Sequence, residues 1–511
     1  MPQQPKRDSN LQARTADGNQ GSAESSHGGS RQGSGQAPSG DRRPRRRWRG
    51  RRDRGRRQEG QGHAAVRGQE GTRAPHHREP GSRQNGGEHA SIQPAGDEPS
   101  HAPGHASAPA SIEARGVLEL LSDGSGFLRD PLRSYRSSPE DIFVSRDLLQ
   151  PLGPGDRRAN GSGLEGCEIE GMASPAGRGG PSPARAHGHR DRGRGGGGAP
   201  RGGGQSPRLA SIRTVNGVTP EVFAQRRPFS GLTSIDPLEL IRLETTPQEL
   251  STRVIDLLTP IGKGQRCLIV APPRAGKTTL LQKIAAAITA NHPEIHLIVL
   301  LVDERPEEVT DMKRSVRGEV IASSSDDVAR NHVSIARIVL ERSRRLVEVG
   351  HDVVILLDSL TRLARAHNTA TPGTGRTLSG GLDARTMEQP RRLFGAARKA
   401  EEGGSLTVIA TALVDTGSRM DDVIFQEFKG TGNMELVLDR ALFEQRVYPA
   451  LDIARSGTRK EEKLFNKEDL PRIHRLRRAL FELKPFDAMT KLLDKLAKFP
   501  NNAAFLKALD G

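Results

Sequence analysis

Five apolar runs punctuate the second half of the chain: CLIVAP (267–272), HLIVLLVDE (296–304), VVILLD (353–358), SLTVIATALV (405–414) and MELVLD (434–439). They are continuous rather than alternating and rich in β-branched residues, the pattern of strands buried on both faces. Helical patterns lie between most of them. Strands alternating with helices predict an α/β domain with a mainly parallel, doubly wound sheet. It spans 228–511, long enough for one large core. The closing stretch, PRIHRLRRALFELKPFDAMTKLLDKLAKF, has apolar positions at three- and four-residue spacing and reads as helical.

Upstream the texture changes. GVLELLSDGSGFLRD and EDIFVSRDLL alternate over short stretches with Gly-rich turns, and the pattern resumes at PRLASIRTVNGV. This predicts one small β domain over 116–227. A Gly/Arg/Pro-rich insert at about 174–206 interrupts it; loops of that length are usually functional or linker-like. Residues 1–115 show no apolar periodicity. They are rich in Gln, Gly, Ser, Arg and His, and are expected to be disordered because they cannot bury enough surface to offset chain entropy.

Composition sharpens this division. Only 33% of residues are apolar and 3% aromatic, and the deficit falls in the first half. The formal net charge of +16 favours polyanionic partners. Its densest run is RRPRRRWRGRRDRGRR (42–57), which holds the single tryptophan, Trp48. That run is either a solvated charge tract or a nucleic-acid arm, with arginines on phosphates and Trp48 on bases. The two cysteines, Cys167 and Cys267, form no metal-binding pair and fit a reducing compartment. No run approaches the length of a bilayer span and no signal peptide is visible, so a cytoplasmic protein with no membrane partner is expected.

The chemistry lies in the second half. CLIVAPPRAGKTTLLQKIAAAI is strand, turn and helix in order, the context a phosphate-binding loop requires. Gly276 lets the backbone approach phosphates, Lys277 can reach the β- and γ-phosphates, and Thr278 can hold Mg²⁺. Ala271 stands where the pattern has its first glycine, and Pro272 and Pro273 can set that turn instead. In VVILLDSLTRLARA, Asp358 ends an apolar strand, as a Mg²⁺-serving carboxylate does. In LLVDERPEEVTDM, Asp303, Glu304, Arg305, Glu307 and Glu308 follow another strand. One of those acids could activate the attacking water, and spacing does not choose among them.

Together LIVAPPRAGKT, LLVDERPEEVT, ILLDSLTRLARAHN, FGAARKAEEGGSLTVIATALVDTGSRMDDVIFQEFKGTGNMEL and RSGTRKEE resemble the bacterial transcription termination factor Rho family, over 208–511 and again over 116–156. The resemblance implies a RecA-like P-loop ATPase domain preceded by a small OB or cold-shock-like β-barrel. It further implies a homohexameric, RNA-dependent ATPase and helicase that uses ATP and Mg²⁺. Such a ring translocates on single-stranded RNA and releases the transcript from the RNA polymerase elongation complex.

By motif position, Glu304 would activate water, Asp358 and Thr278 would serve Mg²⁺, and Lys277 and Arg362 would sit at the phosphates. Pro273, Arg274, Ala275, Gly276, Thr278 and Thr279 would wrap ATP, with Tyr448 on the adenine. Arg459 would be the arginine finger of the neighbouring site and Arg446 a second arginine contributed across the interface. RNA in the ring's hole would meet two loops: 371–383, through Arg376, Thr377 and Ser379, and 415–422, through Ser418 and Arg419. RNA at the barrel would meet Phe127, Arg129 and Phe143, which could equally be plain β-core. The barrel departs from the family at Ser125, where an aromatic is usual. The basic tail also stands where a small helical subdomain usually precedes the barrel.

Overall fold

A computed structural model of the chain describes residues 111–153, 162–175, 206–371, 379–383 and 385–510. The Trp48 arm, the Gly/Arg insert between 176 and 205, and the candidate RNA contacts Arg376 and Thr377 lie outside the described residues.

The β domain is a closed barrel. Its strands are β1 (Ile112–Leu120), β2 (Gly126–Arg129), β3 (Ile142–Val144), β4 (Glu168–Ser174) and β5 (Arg208–Val215), joined in the order β1-β2-β3-β5-β4. Five short strands closed in this order form the OB arrangement. Strand β1 begins at Ile112, so residues 112–115 belong to the barrel and not to the basic extension. Alternate residues of each strand fill the interior: Ala114 and Leu118 from β1, Leu128 from β2, Ile169 and Ala173 from β4. Two short helices, α1 (Arg146–Leu149) and α2 (Pro220–Ala224), add Leu149 and Phe223 to that core.

The α/β domain opens with β6 (Ser234–Ile235) and α3 (Leu250–Leu258). Then come β7 (Arg266–Ala271), α4 (Lys277–Asn291), β8 (His296–Glu304), α5 (Pro306–Ser315), β9 (Glu319–Ser324) and α6 (Ala329–Glu348). Next are β10 (Asp352–Asp358), α7 (Leu360–Ala370), α8 (Glu388–Gly395), β11 (Arg398–Ala400), β12 (Ser405–Leu413), α9 (Arg419–Phe428), β13 (Met434–Val437), α10 (Arg440–Glu444) and β14 (Gly457–Thr458). The chain finishes with α11 (Asp469–Phe481), α12 (Pro485–Leu496) and α13 (Asn502–Lys507). The sheet order is β14-β13-β7-β12-β10-β8-β9, parallel from β13 to β9. The antiparallel β14 forms one edge.

The strands are apolar throughout because both faces are covered. Cys267, Ile269 and Ala271 of β7 enter one core with α3, α4 and the C-terminal helices. The alternate residues Leu268 and Val270 enter the other, with α6, α7 and α8. The C-terminal apolar stretch splits into two helices because Pro485 disfavours helix at the residue before it. Likewise MELVLD ends as a strand at Val437. Its Asp439 turns to cap α10, accepting a hydrogen bond from the Ala441 amide.

The barrel's outer face explains two corrections. Val117 and Tyr135 pack into a core of the α/β domain rather than the barrel's own. Arg129, expected at RNA, is fully buried, its Nε 2.6 Å from Glu119 and its other arm on Asp141. Glu119 in turn pairs with Arg337 of α6 at 3.3 Å. The guanidinium therefore serves the junction between domains and faces no solvent. Phe127 is 1% exposed, beneath the edge of Phe143 (centroids 5.6 Å apart) and the Arg129 guanidinium. Phe143 alone of the pair keeps an accessible surface, with Arg208 over its ring at 5.5 Å. Replacing Arg129 by Ala would leave the buried Asp141 without its ion-pair partner and take one of its partners from Glu119. It is expected to destabilise the chain by about 3–5 kcal/mol, read by denaturant unfolding.

Candidate functional site

Strand β7 ends in a turn whose Gly276 has φ +82 and precedes α4, so the loop's backbone and the positive end of a 15-residue helix face the same point. A Cβ at Gly276 would come within 3.2 Å of the Phe443 ring, besides adopting a left-handed conformation. Gly276→Ala is therefore expected to weaken ATP binding roughly tenfold, from about 1–2 kcal/mol of backbone cost. Equilibrium binding of a fluorescent ATP analogue would read it.

Three strand ends meet at this loop, because β8, β10, β12 and β7 are successive neighbours. Ligands of open parallel sheets bind at such carboxyl ends. Lys277 Nζ lies 2.5 Å from Asp358 Oδ1 and 3.7 Å from Glu304 Oε2. Asp358 is held from the next strand by the Thr411 hydroxyl at 2.8 Å. Thr278 donates to Glu308 at 3.1 Å, which separates Glu308 from Glu304 within the acidic string. Arg362, in the first turn of α7, reaches Glu304 at 3.3 Å and the carbonyl of Asp303.

Glu304 is 3% exposed, and its Oε2 accepts no hydrogen bond. Burial raises its pKa to about 7, against the lowering pull of Lys277 and with a further push from Asp358. A carboxyl poised there exchanges a proton near neutral pH, as a general base must. A hydroxyl and carboxylates beside a phosphate loop are also hard oxygen donors that suit Mg²⁺.

A cavity of about 310 Å³ opens beside the loop, lined by Ala275, Gly276, Thr279, Lys283, Phe443 and Tyr448 among others. Tyr448 is 43% exposed and stands edge-on to Phe443, centroids 5.4 Å apart. Sequence reading missed Phe443 and Thr411. Phe443 lies in a polar helical string with no motif, and Thr411 inside an apolar strand. Pro273 and Arg274 lie in the loop itself, Arg274 at φ +61. Arg446 is exposed beside its own chain's Tyr448, with which it makes a long hydrogen bond of 3.5 Å. Arg459 is also exposed and stands just after edge strand β14, outside the Lys277 cluster.

The two candidate RNA loops lie together. The turn Ser379–Gly381 packs on the start of α9, where a Cβ at Gly380 would come within 3.0 Å of the Arg419 carbonyl. Ser418 is the N-cap residue of α9, and Arg419 is exposed. Arg365 of α7 grips Asp421 of α9 with two bonds of 2.7 and 2.6 Å. One helix thus carries Arg362 at the carboxylates and, one turn on, the brace of the second loop.

The fold and this cluster define a P-loop ATPase. Residues 251–458 match the ATP synthase alpha/beta family, nucleotide-binding domain, and residues 114–156 match the Rho termination factor, RNA-binding domain. The chain is 49% identical over 403 residues to transcription termination factor Rho of Aquifex aeolicus, covering 78% of this chain and 85% of that one. It is 49% identical to the factor of Chromobacterium violaceum, covering 78% and 88%, and 49% identical to that of Haemophilus influenzae, covering 79% and 89%. The chain belongs to the transcription termination factor Rho family.

Proposed function

We propose that the chain is an RNA-dependent ATPase that assembles as a homohexameric ring, translocates on single-stranded RNA and terminates transcription by releasing the transcript from RNA polymerase. The observation that carries this reading is the meeting of Lys277, Asp358 and Glu304 at the carboxyl ends of the sheet, beside helix α7, whose Arg362 reaches Glu304 and whose Arg365 braces a candidate RNA loop. A cytoplasmic site of action follows from such partners. Among the described residues no helix is long and apolar enough to cross a membrane.

ATP's phosphates take the loop 273–279, with Lys277 on the β- and γ-phosphates and the adenine against Tyr448 and Phe443. Thr278 and Asp358 would hold Mg²⁺, which when bound offsets phosphate charge. Glu304 accepts the proton of the attacking water, and Arg362 orients that carboxylate. Arg459, free of the local cluster, reaches a neighbouring subunit's phosphates as a finger. Arg446, standing at the rim beside Tyr448, meets the nucleotide from the cavity's outer side.

RNA in the ring contacts Ser379, Ser418 and Arg419, with Arg376 and Thr377 from the same loop. At the barrel, Phe143 with Arg208 offers an accessible stacking surface, and the basic extension adds phosphate contacts. ATP hydrolysis measured with and without poly(C) tests the whole reading. Strong stimulation is expected. Equal rates would favour an energy-coupling ATPase on the same fold, and no hydrolysis a non-motor RNA-binding protein.

A further inference from the structure

A larger open cavity, about 630 Å³, lies away from the nucleotide site, around α8. Five arginines line it, Arg344, Arg385, Arg391, Arg392 and Arg398, against one carboxylate, Glu388. Two of the five are partnered elsewhere. Arg344 bonds Glu341 at 2.6 Å, and Arg391 bonds Glu427. Arg385 and Arg392 are exposed and take no carboxylate among the described residues. Arg344 also keeps a buried Nε donor without an acceptor. Arg398 lies over the Phe229 ring at 4.4 Å, and its side chain is hydrogen-bonded to the Ala396 carbonyl. Burial, and then the like charges of Arg344 and Arg266, push Arg398 below the usual arginine value. Crowded guanidiniums with open donors attract a multivalent anion, and phosphates match their fork geometry.

The cavity's position says which anion. Arg385 stands two residues after Asp383, where the candidate RNA loop 371–383 ends. At its other side the cavity shares Arg344 and Arg392 with a second one of about 210 Å³, whose wall includes Glu165. Glu165 belongs to the barrel side of the chain, three residues before β4, and is tied to Arg337 of α6. Through Arg344 and Arg392 the arginine-lined cavity, an open trough, thus runs on to the barrel's flank, where Glu165 and Glu341 stand beside Arg337, and at its other end it reaches the end of a ring loop.

We propose that this trough holds the phosphodiester backbone of RNA between its capture at the barrel and its entry to the ring loops, with Arg385 and Arg392 as the principal contacts. The proposal rests on the RNA-dependent reading above. Contacts of this kind are sequence-tolerant and electrostatic, so they appear as salt dependence.

The test uses the full chain carrying R385Q/R392Q, with binding of a long pyrimidine-rich RNA and of a short oligopyrimidine measured across a salt series. Two lost phosphate contacts are expected to make the long-RNA slope of log K against log salt shallower by roughly 1.4. The short oligomer, filling only the barrel, keeps its slope. R385K/R392K, which retains the charges, restores the long-RNA slope in large part. Independently, 4-thiouridine placed in the long RNA is expected to cross-link the unmodified chain within residues 385–398.

An unchanged long-RNA slope, or no cross-link in that segment, overturns the proposal. So does loss of ring assembly by sedimentation with RNA slopes intact, which would make the trough a seat for an acidic segment of a second copy. Loss of inorganic polyphosphate binding alone would overturn it in favour of a free anion. The two readings fail separately. Absent stimulation by poly(C) in the unmodified chain removes the RNA-dependent function. Normal stimulation with an unchanged slope removes only the trough.

Discussion

Glu304→Gln is expected to lower RNA-stimulated ATP turnover by about 10²–10⁴-fold, the usual worth of a positioned general base. The amide keeps the side chain's size in a site that is 3% exposed, so packing and ATP affinity should change little. A drop in affinity matching the loss in rate would mean that Glu304 binds nucleotide instead. The raised pKa adds a second readout. Glu304 is an acid whose value is pushed up to about 7, so its ionised, proton-accepting form dominates above that pH and is lost below it. The rate constant kcat/KM is therefore expected to climb from pH 6 to pH 8, with an acid limb near 7. The residual activity of Glu304→Gln should lack that limb. A limb that survives in the variant would assign the titration to another group.

Much of this site was legible in the sequence because its parts are local. Strand, turn and AGKT form one string, and Asp358 closes another. The five apolar runs gave the sheet because each strand is covered on both sides, leaving no alternation to confuse with a helix. Choosing Glu304 from its string was not local. It took the adjacency of β8 and β10, which brings Glu304 to Lys277 while Glu308 turns to Thr278.

The barrel was harder. The family resemblance puts Phe127 and Arg129 at RNA by their place in DGSGFLR, and a motif position does not say what covers that side of the strand. Here the outer face of β1 and β2 lies near α6, so Arg129 meets Glu119 and Asp141 instead of RNA. On their residues alone, loops 371–383 and 415–422 are Gly/Ser/Thr turns with one arginine each, and only the family resemblance puts them at RNA. Their shared neighbour, α7, is what the fold adds. Arg362 and Arg365 sit almost one turn apart, so a shift of the second loop and a shift at Glu304 act on the same rigid helix.

Arg459→Ala is expected to reduce turnover by about 10³–10⁵-fold while leaving nucleotide binding nearly intact, as for a finger that acts only in the transition state. Its placement argues that it acts on another subunit. The Arg459 amide is pinned to the Asn433 carbonyl at 2.8 Å, Thr458 to the Pro260 carbonyl at 2.8 Å, and Lys460 to Asp236 at 2.9 Å. The segment is thus anchored on both sides of an exposed guanidinium that makes no contact with its own Lys277, Asp358 or Glu304 among the described residues.

Mixing decides between the two arrangements. Rings of Arg459→Ala alone and of Glu304→Gln alone should both be inactive. In rings of both, mixed equally, roughly a quarter of the interfaces join an intact base on one subunit to an intact finger on the next, so activity should return in part. If Arg459 served its own subunit, every site would still lack either base or finger, and mixing would restore nothing. Partial recovery therefore reports a finger acting in trans, and makes the ring itself a condition of hydrolysis.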